Sequence, residues 1–174
     1  PCDEGVDDPV DFRHRVAAHH AEVLVSFLNS WFDPAAAKEA ALAQVDAGAD
    51  VLFAERFGVI EAAQENSLLA FGNMSDQNEL APDTVVTGPV WNMGPTVEFV
   101  INQVKAGSYT ALDLKDFSMM GQGGASLADL HGFADTLDAD LLQTVMDKEQ
   151  AIKDGLFRVD IDEAAPANAV VPEP

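Results

Sequence analysis

"NSWFDPAAAKEAALAQVDAGADVLFAE", residues 29–55, carries the punctuation from which the fold is read. Asp33 is a good N-cap, and Pro34 stands at the first helical position, where its missing N–H costs nothing. An alanine-rich helix follows to about Ala47, where Gly48 stops it. "DVLFAE" (50–55) then reads as a short apolar strand. Just upstream, "AEVLVSFL" (21–28) is rich in Val, Leu and Phe and reads as a buried strand. The stretch is thus the middle of a strand–helix–strand unit.

The same alternation continues downstream. Residues 59–65, "VIEAAQE", form a short helix, and "SLLAFGN" (67–73) a third strand. After the polar loop 75–83, "TVVTGPVW" (84–91) is a fourth strand, with Pro89 suited to an edge or a strand end. Pro95 opens the next helix, in which Val97, Val100, Ile101 and Val104 recur at helical spacing and predict a core-facing stripe. Gly107 ends it. "YTALDLKDFSM" (109–119) alternates as a strand with one solvated face, and "GQGG" (121–124) is a flexible turn. A last helix over 139–154 is expected to bury Leu141, Leu142, Val145, Met146 and Ile152. "LFRVD" (156–160) adds a short strand before a tail rich in Pro and acids (163–174). Strands alternating with helices predict an α/β fold, a mainly parallel sheet covered on both faces.

Composition narrows the function. Thirty acidic residues against nine basic ones give a net charge of -21 over 174 residues. Such a surface repels phosphate backbones, which argues against nucleic-acid partners. One cysteine, Cys2, excludes an internal disulfide framework and a multi-cysteine zinc site. No apolar run is long enough to span a bilayer, and the acidic start "PCDEGVDD" lacks the pattern of a signal peptide. Residues 1–20 have no clear periodicity and read as a poorly specified leader.

Ligands of open α/β sheets bind outside the carboxyl ends of the strands. That rule selects Ser30–Asp33, Glu55–Gly58, Gly72–Gln77 and Val90–Gly94. These connectors hold Trp31, Phe32, Glu55, Arg56, Phe57, Met74, Asp76 and Trp91, including both tryptophans of the chain. A single aromatic at a strand end more often packs a core. Aromatics and charges recurring across four successive loops suit a flat, polar-edged small molecule. Asp33 is fully explained as a cap.

From about Ala21 to Asp162 the chain resembles the second half of the basic membrane protein family, substrate-binding lipoproteins of ABC transporters related to purine nucleoside receptors. The likeness rests on the Ser30–Glu39 stretch, "AGADVLF" (47–53), "GVIEAAQE" (58–65), "FGNMSDQ" (71–77), "APDTVVTGPVWN" (81–92), "VKAG" (104–107) and "GLFRVDID" (155–162). Each is weak alone; their order and spacing are fairly specific. The resemblance implies one lobe of a periplasmic-binding-protein type I clamp, the distal lobe plus a closing helix over 21–162. The proximal lobe that would precede Ala21 has no counterpart here, so a fragment is expected. It also implies permease subunits as partners, a periplasmic or membrane-anchored location, no catalysis and no cofactor. An uncovered interlobe face would invite self-association.

The family's base-stacking aromatic falls on Trp31. Glu55-Arg56-Phe57 departs from a glycine-rich stretch in the family. The first acid of the family's ribose-binding loop is Met74 here, leaving Asp76, and a lysine after the next strand is replaced by Trp91. Losing those partners of ribose hydroxyls points to a free purine base, adenine for example, rather than a nucleoside.

Other constellations carry less. His14, His19 and His20 beside Asp7, Asp8 and Asp11 lack the helical spacing of a zinc site and read as exposed leader residues. His131 in "DLHGF" reads as a loop or core histidine with no nucleophile elbow near it. "GQGGAS" lacks the Lys-Ser/Thr of a phosphate loop. Asp113, Asp116, Asp135 and Asp138 read as solvated faces. The alternative is a small flavodoxin-like α/β enzyme acting on a flat heterocycle from the same rim. A regulator's effector lobe is a third reading, without the helix-turn-helix it needs.

Overall fold

The computed structural model describes residues 23–157. The leader 1–20 with its histidines, most of the 156–160 strand and the 163–174 tail lie outside the described residues. Packing divides the chain into two units at Trp31 and Phe32. Residues 23–31 fall in one, and residues 32–157 in the other, where every element below resides.

Among the described residues, four α-helices and four short strands are arranged in the order α1 (Pro34–Asp46), β1 (Val51–Phe53), α2 (Val59–Glu65), β2 (Leu69–Phe71), β3 (Pro89–Trp91), α3 (Gly94–Lys105), β4 (Ala125–Leu127) and α4 (Ala139–Lys153). Helix α1 begins as its sequence dictates. Asp33 Oδ1 accepts the Ala36 amide at 3.0 Å, and Pro34 occupies the first turn. Gly48 follows its end with φ +103, a left-handed conformation that a Cβ would oppose. Helix α4 is capped likewise by Asp138.

The α/β class read from the sequence is what the chain adopts. β1 and β2 pair in parallel, Val51 opposite Leu69 and Phe53 opposite Phe71. Residues 84–87 continue that parallel order. Ala70 donates to Thr84 O and accepts from Val86, and Gly72 donates to Thr87 O, at 2.8–2.9 Å. The core lies where α1 and α2 cover these strands: Ala41, Leu52, Ala62, Ala63 and Ala70 form one cluster, and Ala54, Ile60, Ala81 and Val85 another. Alanine at most of these positions allows close approach of helix to strand while burying little area per residue. Strand alternation does the sorting. Leu52 and Ala70 point into this core, and Val51, Phe53, Leu69 and Phe71 are exposed.

Four expectations are corrected. The described part of 21–28 lies outside the strands, and Val23, Leu24 and Phe27 are exposed; a short apolar run signals burial but does not by itself find a partner strand. Residues 109–119 form no strand either, because Asp113 Oδ1 takes the Lys115 amide at 3.0 Å and turns the chain into a 3-10 turn over Lys115–Ser118. The 84–91 strand is divided. Its second part, β3, pairs antiparallel with β4, an element the sequence did not reveal. Finally, neither α3 nor α4 has a buried residue: Val97, Ile101 and Val104 on α3, and Leu141, Val145 and Met146 on α4, are exposed. Periodicity identified the apolar faces but not whether anything in these residues covers them.

Candidate functional site

The rim begins where β1 ends. Ala54 still belongs to the sheet, donating to Phe71 O at 2.8 Å, and the chain then turns outward. Glu55 and Arg56 form an ion pair with each other. Phe57 meets Phe32 edge-on, with ring centroids 6.0 Å apart, a geometry in which the ring edge faces the partner's electron-rich face. Both rings remain mostly solvent-exposed, Phe32 at 71%. Gly58 allows this arrangement. Its φ is +104, and a Cβ there would stand 2.2 Å from the Pro34 carbonyl oxygen.

The second part of the rim joins β2 to β3. Trp91 N–H donates to Met74 O at 2.9 Å, and Met74 bridges to Val90 in parallel register. Met74 takes φ +70, an uncommon backbone state for an unbranched side chain and one that costs of order 1–3 kcal/mol. Its side chain and that of Trp91 are exposed. Gln77 closes the loop from within by accepting the Asn73 amide at 2.9 Å.

Asp76 is the best-held polar group here. Oδ1 accepts the Asn78 amide at 3.0 Å, and Oδ2 lies 2.7 Å from His131 Nε2. The Asn78 N–H first, and then the His131 imidazole, hold the Asp76 carboxyl below the usual carboxylate range. The sequence reads His131 as a loop or core histidine, and no sequence signal pairs it with Asp76. Asn92 was missed. Its side chain donates to Gly123 O and accepts from the Gly94 amide, both at 2.9 Å, fastening the start of α3 to the turn before β4.

The structure therefore groups Phe32 with Phe57, Glu55 with Arg56, and Met74 with Trp91, and puts Asp76 two residues beyond Met74. Trp31 belongs to the other unit and is 90% exposed there. Among the described residues no group of three His, Cys, Asp or Glu side chains is placed to hold a metal ion, and no helix is long and apolar enough to cross a membrane. The chemistry on offer is aromatic contact, thioether contact and hydrogen bonding to a fixed carboxylate.

Solved structures share this α/β fold. A transcriptional activator of the comK gene from Bacillus halodurans superposes with a TM-score of 0.63 at 20% identity, covering 79% of this chain and 48% of that one. A solute-binding protein of an ABC transporter system from Aeropyrum pernix gives 0.54 at 17% identity, covering 75% and 46%. Residues 15–114 match the Bmp family, described as ABC transporter substrate-binding protein PnrA-like, and the chain belongs to that family. A purine-binding protein of Brucella abortus is 37% identical over 86 residues, 48% of this chain and 24% of that protein. A putative ABC transporter glucose-binding protein of Haloferax volcanii is 31% identical over 80 residues, 42% of this chain and 20% of that protein. The chain thus spans a fifth to a quarter of the length of these curated relatives, and about half that of the solved structures.

Proposed function

We propose that this chain is a ligand-binding lobe of an ABC transporter's solute-binding protein, and that it takes a purine base in a cleft against a second lobe. The observation that carries the reading is the β2–β3 junction. There Trp91 is hydrogen-bonded to Met74, and Asp76 holds a carboxylate fixed at both oxygens. Flat apolar groups beside a rigid acceptor suit a heterocycle with N–H donors at its edge. Phe32 supplies stacking surface with Phe57 against it, and Glu55 and Arg56 read a polar edge; Trp31 is proposed as a stacking residue from the family resemblance alone. The reading draws on family membership and on the relative named for purine binding. It brings with it permease subunits as partners, a location outside the cytoplasm at a membrane, and release of the ligand unchanged.

Calorimetry with adenine, adenosine and glucose tests it. Adenine binding tighter than adenosine supports the base reading. Tighter adenosine binding overturns the preference for a free base, and glucose as the one ligand bound transfers the site to a sugar, as the name of the Haloferax relative suggests. Purine nucleosides left intact after incubation separate the receptor from the flavodoxin-like enzyme.

The exposed apolar faces of α3 and α4 favour self-association, which the net charge of -21 opposes. Light scattering on the purified chain measures which prevails. We expect a mass above that of one chain in high salt, where the repulsion is screened.

A further inference from the structure

The Asp76–His131 pair adds a side-chain link between two segments that the backbone ladder already joins through β3, Met74 to Val90 on one side and Ala128 to Gly88 on the other. His131 opens the 3-10 turn His131–Phe133, which follows β4. That stretch is secured to the β3 side: Ala128 N–H donates to Gly88 O at 2.9 Å, and Thr87 Oγ1 donates to Ala128 O at 2.7 Å. Asp76 belongs to the loop after β2. The 2.7 Å contact is therefore a second clip, beside the Trp91 N–H to Met74 O bond, between the β2 loop and the β3–β4 ribbon. Both flanks hold a non-glycine residue in the left-handed region, Met74 at φ +70 and His131 at φ +46. Such conformations gather where surrounding contacts over-determine a site.

Hydrogen-bond chemistry fixes the roles. An ionised carboxylate has no proton to give, so His131 Nε2 carries the proton and donates to Oδ2. With Oδ1 held by the Asn78 amide, the carboxylate is pinned at two points. Its remaining lone pairs can only accept.

We propose that His131 is a positioning residue that presents Asp76 as a rigid, acceptor-only edge, selecting heterocycles that carry an amino group over the same ring without one. This rests on the purine reading and deepens it by naming what sets the preference. Loss of the clip frees the carboxylate to rotate, so the amino contact weakens while ring stacking persists.

The test combines ligand discrimination with a spectroscopic signature in the ligand-free protein. His131→Phe keeps a ring but removes the donor; His131→Gln restores a donor at the Nε2 position. We expect His131→Phe to weaken adenine by about tenfold, the usual scale for a charge-assisted hydrogen bond, with unsubstituted purine changing far less and His131→Gln recovering most of the loss. Equal losses for both ligands, or none, overturn the proposal. In parallel, imidazole nitrogen NMR is expected to report the Nε2–H tautomer of His131, perturbed in Asp76→Asn; a tautomer indifferent to that change also overturns it. If the wild type binds neither ligand, the purine reading fails by itself. A perturbed signal then retains His131 as a clip and removes the ligand class assigned to it.

Discussion

The side-chain amide of Asn78 donates to the carbonyl oxygen of Val85 at 2.9 Å, inside the packed face of the unit. Asn78 is a buried polar side chain in a 3-10 turn, and Val85 is the most buried large residue of the core. The bond ties the 3-10 turn that follows the rim loop to the strand segment it leads into. Its energetic weight lies mainly in what its loss would leave behind, since an orphaned buried carbonyl costs more than the net bond contributes. Asn78→Ala should therefore lower stability by about 1–3 kcal/mol, read as a shift of the urea midpoint with an unchanged slope. Asn78→Asp should be at least as damaging, since it loses the donor and buries a charge.

Gly88 sits where the strand segment after residue 84 passes β2. A Cβ on Gly88 would come within 2.4 Å of the Gly72 carbonyl oxygen, a backbone atom that cannot swing aside. Gly88→Ala should cost about 2–4 kcal/mol, in the range of a severe overpacking defect. Thermal melting of the variant checks this, with Gly132→Ala, where nothing lies within 4 Å, as the benign control.

Acid should loosen the rim loop in a defined direction. The Asn78 amide and His131 depress the folded-state pKa of Asp76 below its unfolded value. The stabilisation is thus fully present above the unfolded carboxylate pKa, near pH 4, and is lost as pH falls through the folded value. Asp76→Asn removes this one contribution, so the gap in urea midpoint between wild type and variant should narrow from pH 7 to pH 3. At this degree of exposure the effect is modest, and a gap that stays constant would count against the assignment.

Trp31→Ala should separate binding from folding. With 90% of the residue exposed, its removal should change stability by no more than about 0.5 kcal/mol. Loss of a stacked base should weaken purine binding by about 1–3 kcal/mol, roughly five- to 150-fold. Calorimetry beside a urea titration gives both quantities. A destabilised protein with normal affinity would return Trp31 to the role of packing residue.

Much of the local architecture was legible because it is written in local chemistry. Asp33-Pro34 started α1 where expected, and Gly58 and Asn66 bracket α2 over the residues read from the sequence. The 109–119 segment misled because its alternation is also compatible with a turn, and the Asp113 side chain decided for the turn by capturing Lys115 N–H. β4 is three residues long and follows two glycines, too short for periodicity to register. The exposed stripe of α3 has the same spacing a buried one would have. As for the rim, the rule about strand ends nominated its candidates but not their pairings, and the strand expected before Trp31 and Phe32 is not formed among the described residues. His131 and Asp76 are 55 positions apart, and no feature of one sequence reports a contact at that separation.

The close approach of Gly58 to the Pro34 carbonyl has a mechanical meaning. With no side chain between them, the first turn of α1 and the approach to α2 form a single fulcrum, and the edge contact of Phe32 with Phe57 sits beside it. The ion pair of Lys38 with Glu65, at 2.6 Å, ties the same two helices further along. Phe57 is thus one residue from a point where the backbones of α1 and the approach to α2 are in direct contact.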